Sequence, residues 1–161
     1  LKIALKSKPS FVCIVPEKRE ELTTEGGLNF DKDNSRIKKI IYYLKKKGIR
    51  ISLFVDPKIQ NIKTAKKLDA DCVELHTGKF CSLYNLNRKF SNEFAKIKKV
   101  AQYANKIGLE VHAGHGLTYQ TAKMIKKIKG IKELNIGHFI ISEAIFVGLK
   151  KSILNFKQIL K

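Results

Sequence analysis

The sequence is poor in the residues that build covalent or metal frameworks. Its three cysteines, Cys13, Cys72 and Cys81, are scattered and form no CxxC pair. That count excludes a four-cysteine zinc site and leaves no basis for a disulfide framework. Long apolar runs are also missing: none approaches the roughly 18 residues of a membrane-crossing helix. The first residues, LKIALKSKPSF, are basic but carry only a broken apolar run and no small-residue cleavage site. A cytoplasmic protein is expected, with no membrane partner. Arginine is scarce. Only Arg19, Arg36, Arg50 and Arg88 stand among 33 basic residues.

What is abundant is lysine. With 14 acidic residues, the chain carries a formal charge of +19. Nucleic-acid binding is one reading of such a balance. However, base readers use arginine for bidentate contacts and aromatic rings for stacking. Here the lysines fall on helical faces (Lys38, Lys39, Lys45 to Lys47, Lys96, Lys98, Lys99) with no aromatic interleaving. We expect solvated lysine faces, no nucleic-acid partner, and a field that concentrates small anions.

The 161 residues are 43% hydrophobic, enough for one domain with a real core. Strand-like runs FVCIVP (11–16), ISLFVD (51–56), CVELHTG (72–78), LEVHAG (109–114) and ELNIGH (133–138) alternate with helical patterns. The patterns cover about 32–48, 57–69, 88–107 and 118–129, with a last helix from about 140. Gly48 and Gly108 fit helix C-terminal caps. Five βα units in series predict an α/β fold with a parallel sheet. The choice lies between an open five-stranded sheet and five-eighths of a (β/α)8 TIM barrel, which needs roughly 250 residues.

Strand parity points to a site. Glu74 and His76 share one face, as do Glu110 and His112, and Asn135 follows. Val73, Leu75, Val111, Leu134 and Ile136 take the other face. Polar groups therefore gather toward the C-terminal strand ends, where parallel sheets build their sites. His115 falls past Gly114, in a glycine-bounded loop, where an imidazole suits acid/base work. By the same residues His112 reads as packed and hydrogen-bonded. Gly137-His138 precedes a helix, whose first N–H groups suit phosphate. The polar stretch after FVCIVP, with Thr23, Thr24, Gly26 and Gly27, reads as a lid or an ordinary loop. A metal centre from Glu74, His76, His112, His115 and His138 lacks paired ligand spacing.

Together, VPEKREELTTEGGL, ISLFVD, VELHTG, AGHGLTY and ELNIGHFIISEAIFVGL resemble the pyridoxine 5′-phosphate synthase family from about Lys8 onward. The resemblance implies a (β/α)8 barrel, assembled as a homo-octamer and using no metal or organic cofactor. It implies condensation of 3-amino-2-oxopropyl phosphate with 1-deoxy-D-xylulose 5-phosphate. The products are pyridoxine 5′-phosphate, phosphate and water. It makes His115 the proton donor and Glu74 the transition-state-stabilising glutamate. Thr23, Gly116, Gly137 and His138 become substrate-binding. His76 and His112 receive no role.

The family's first three βα units have no counterpart in these residues. They carry a general-base histidine, a general-base glutamate and phosphate-clamping arginines. The expectation is a partial barrel spanning strands 4–8, a single domain over 1–161, without turnover by itself. The alternatives are a remnant that binds phosphorylated ligands or partner subunits, and a metal-dependent barrel hydrolase.

Overall fold

The computed structural model describes residues 1–16, 26–31 and 34–161. Five strands run β1 (Phe11–Ile14), β2 (Arg50–Val55), β3 (Cys72–His76), β4 (Glu110–Gly114) and β5 (Ile131–Asn135). The helices are α1 (Lys2–Ser7), α2 (Ser35–Lys45), α3 (Ile59–Lys67), α4 (Gly78–Asn85), α5 (Ser91–Lys106), α6 (Tyr119–Ile125), α7 (His138–Val147) and α8 (Leu149–Leu160). All five predicted strands form. Two helices, α1 and α4, lie outside the predicted patterns, and Gly148 divides the expected last helix into α7 and α8.

Every strand pair is parallel, in the order β1-β2-β3-β4-β5. That order never reverses along the sheet. A doubly wound sheet reverses its strand order midway so that helices cover both faces. Right-handed crossovers that never reverse place their helices on one face only. The core matches this winding. Ile51, Leu53, Val55, Val73, Leu75, Val111 and Ala113 are buried against helix residues such as Leu44, Ile62, Ala65, Ile97, Val100 and Ile125.

The other face is concave. Phe11 on β1 meets the His112 ring on β4 with centroids 5.5 Å apart. Those strands are three positions apart, or about 14 Å at ordinary strand spacing, so the sheet curls as a barrel wall does. This face carries Cys13, Ser52, Phe54, Cys72, Glu74, His112, Glu133 and Asn135, aligned through the register pairs Cys13↔Ser52, Phe54↔Glu74, Glu74↔His112 and His112↔Glu133. The predicted parity therefore holds. A register shift at Val111/His112 brings Glu133 opposite His112 and Asn135 opposite Gly114.

Gly48 (φ 70°) and Gly108 (φ 74°) close α2 and α5 as left-handed caps, as expected. Among the described residues no helix is long and apolar enough to cross a membrane.

Leu53 is fully buried between sheet and helices. Leu53→Ala is expected to cost about 2–5 kcal/mol, read as a lower urea midpoint with an unchanged m-value.

Candidate active site

The site is built at the C-terminal ends of the strands around a buried carboxyl group. Glu74 is 8% exposed. Its Oε2 accepts from Asn135 Nδ2 at 2.7 Å and from the Cys13 thiol at 3.4 Å. Its Oε1 occupies the space a side chain at Gly114 would fill. Burial raises the Glu74 pKa above the ordinary value of 4.5, opposed by the Asn135 and Cys13 hydrogen bonds. Burial and the neighbouring Glu74 push the Cys13 thiol up to about 12, so it stays protonated and donates.

His115 sits one residue beyond β4 in a left-handed conformation, φ 78°, followed by Gly116 at φ 74°. A non-glycine residue there is strained, and strain persists only where neighbours enforce it. The enforcing residue is Thr77, fully buried at the end of β3. Its hydroxyl lies 2.8 Å from the Gly114 carbonyl and 2.6 Å from the His115 carbonyl, and its N–H donates to Gly114 O at 2.8 Å. Gly116 rests on α4, where a Cβ would come 3.1 Å from Cys81 Cβ.

Gly137 caps the N-terminus of the ten-residue helix α7, and His138 is its first residue. Space above Gly137 is open, since a Cβ there would meet nothing within 4 Å. A cavity of about 800 Å3 joins these groups, lined by Glu74, His115, Gly116, Asn135, Gly137 and His138 among others. Five of the six residues singled out from sequence thus share one cavity. Thr23, the sixth, lies outside the described residues.

His112 is packed, as its residues suggested. It is 2% exposed, lies 2.9 Å from Glu110 Oε1, and stacks near Phe11. It occupies the middle of the concave face, below the cavity. His76 lies beside His115, its ring centroid 4.7 Å from that of His115. Among the described residues, the one group of three metal-type side chains with ligand atoms within 4.8 Å is Cys72, Glu110 and His112. It is satisfied without an ion: Cys72 donates to Ile51 O, and Glu110 bonds both Arg50 and His112. Of the set considered from sequence, only His112 belongs to it.

Sequence reasoning missed Thr77 and Cys13. The HTG triplet was visible, but a threonine after a histidine gives no sign that it holds two carbonyls of another loop. Asn135 was placed on the right face without its partner.

These features define a one-sided, curved parallel α/β protein with its polar site at the C-terminal strand ends. Residues 1–161 match the family described as "Pyridoxal phosphate biosynthesis protein PdxJ", and the chain belongs to that family. It is 57% identical over 157 residues to the pyridoxine 5′-phosphate synthase of Pelagibacter ubique (strain HTCC1062), covering 98% of this chain and 66% of the relative. It is 46% identical over 160 residues to that of Zymomonas mobilis subsp. mobilis, covering 99% and 62%. The Ehrlichia canis (strain Jake) enzyme of the same name is 48% identical, covering 99% and 65%. The chain thus spans 62–66% of the length of these relatives. In fold it is similar to 3-hexulose-6-phosphate synthase from Salmonella typhimurium, with a TM-score of 0.65 at 16% identity over 99% of this chain and 65% of that one.

Two outcomes follow. Thr77→Val should cost roughly 1–3 kcal/mol through the unmet carbonyls and disorder the His115 loop, read by denaturation and loop amide exchange. Glu74 has a folded pKa above its unfolded one, so its ionisation lowers stability as pH rises from about 4.5 through the folded value. Glu74→Gln should therefore stabilise the chain at pH 7, with the gain vanishing below pH 4 in melts across that range.

Proposed function

We propose that this chain supplies the fourth to eighth βα units of a pyridoxine 5′-phosphate synthase barrel. The enzyme would condense 3-amino-2-oxopropyl phosphate with 1-deoxy-D-xylulose 5-phosphate. The observation that carries this reading is the convergence of Glu74, His115, Gly116, Gly137 and His138 on one cavity. Family membership and the names of the relatives support the reaction class.

In this reading His115 delivers protons during dehydration and ring closure, from a backbone held by Thr77. Gly116, with no side chain, lets phosphate approach its N–H. The N-terminus of α7 at Gly137 and His138 offers a second anion site, since first-turn N–H groups lack helical acceptors. Glu74 acts against positive charge developing on nitrogen. Burial makes that interaction strong and also makes ionisation costly when the site is empty. Thr23, outside the described residues, is substrate-binding by resemblance to the family. The working enzyme is a homo-oligomer, octameric by resemblance to the family, without metal, organic cofactor, nucleic-acid or membrane partner.

The reading assigns the general bases and phosphate-binding arginines to the first third of the relatives, beyond the aligned residues. The 161-residue chain is therefore expected to show no turnover of the two phosphates. Joined to the N-terminal third of the Pelagibacter ubique relative, it should turn over, and His115→Asn in that fusion should lower kcat by about 10²–10⁴. An active 161-residue chain, or a fusion indifferent to His115→Asn, would overturn the assignment.

A further inference from the structure

His76 is a half-buried imidazole that the reaction as proposed does not use. Its Nδ1 lies 3.6 Å from Asp56 Oδ1, at the end of β2. The same oxygen accepts the backbone N–H of Gly27 at 3.1 Å. On its other side the His76 ring stands 4.7 Å from the His115 ring, and Phe54 holds it edge-on at 5.3 Å. Among the described residues, His76 Nε2 is buried with no hydrogen-bond partner. An orphaned buried nitrogen needs a reason. Both Nε2 and His115 Cδ2 approach to 2.7 Å of the point where a Cβ on Gly78 would stand. The glycine of HTG therefore keeps the space between the two imidazoles open.

We propose that Asp56 and His76 form a positioning dyad for His115, with Asp56 holding the His76 Nδ1–H so that the Nε2 lone pair faces the proton donor. The logic is that of any carboxylate–histidine pair: the bond at one ring nitrogen decides what the other can do. A contraction of about 0.6 Å brings the Asp56 contact to ordinary hydrogen-bond length. Burial, and next the neighbouring His115, lower the His76 pKa against the pull of Asp56, which keeps its ring neutral and its lone pair free. Nε2 then supports the protonated form of His115, and Asp56 reinforces it from behind. Gly27 joins the relay because its N–H competes for the same carboxylate oxygen. Docking of the segment at Gly27 and Leu28, whose N–H donates to Phe54 O at 2.8 Å, is thereby linked to the charge on His115. The inference rests on the reading of His115 as proton donor.

Other titratable groups surround the pair. Glu74 is on β3, Lys79 and Cys81 are on α4, and His138 starts α7. Lys58 stands 3.8 Å from Asp56, and Lys79 is paired with Glu93 at 2.9 Å.

The test is an imidazole 15N NMR titration of the 161-residue chain, without substrate. His76 is expected as the neutral Nδ1–H tautomer at pH 7. Asp56→Asn should lower the His115 midpoint by at least about 0.5 pH unit. It should also mix the His76 tautomers. In a His76→Phe background, which keeps a ring in place, Asp56→Asn should shift His115 far less, because the carboxylate acts through His76. An Nε2–H tautomer, or equal shifts in both backgrounds, would overturn the dyad. If His76→Phe does not fold, Asp56→Asn alone decides: an unchanged His76 tautomer and His115 midpoint sink the proposal. Coupling without any effect of His115→Asn in the fusion would instead defeat the proton-donor role and leave the dyad standing.

Discussion

A buried carboxyl group must be surrounded before it can be tolerated, and the upper end of this sheet is arranged around one. Glu74 is held by donors from β1 and β5, strands that flank β3 at two positions on either side. Only a curled sheet brings Cys13 and Asn135 to the same oxygen. Gly114 leaves out a side chain so that the other oxygen fits. The one-sided helical layer, the curvature and the glycine at the end of β4 are thus parts of one requirement.

The same requirement explains why much of the fold could be read from the chain. Fully buried strands are continuous apolar runs with one polar parity, and ISLFVD and CVELHTG show both. Gly48 and Gly108 punctuate helices in the way left-handed caps demand. Strand order was not legible, because both candidate architectures share the same alternation. It follows from hydrogen-bond pairing, a non-local fact. Helix α4 escaped because GKFCSLYN is short and directly abuts a strand, with its apolar positions Phe80 and Cys81 adjacent rather than spaced.

At the site, residues that line the cavity were legible as candidates, and residues that hold them in place were not. His115 and Gly137-His138 announce themselves by residue type beside glycine. Thr77, Cys13 and Asp56 look ordinary in sequence. Their contacts reach residues 38, 61 and 20 positions away. His112 shows the converse: a histidine near a motif that is occupied by packing and by Glu110.

The left-handed backbone at His115 narrows what evolution or an experimenter can place there. Asparagine and glycine tolerate such a φ but cannot carry a proton at neutral pH. Branched side chains would fight the backbone, and Thr77 holds the neighbouring carbonyls against any drift. On the role proposed for His115, loss of function at position 115 would have two physically separate origins. Asparagine is the replacement that isolates the chemical one, while valine or isoleucine would report mostly on the turn.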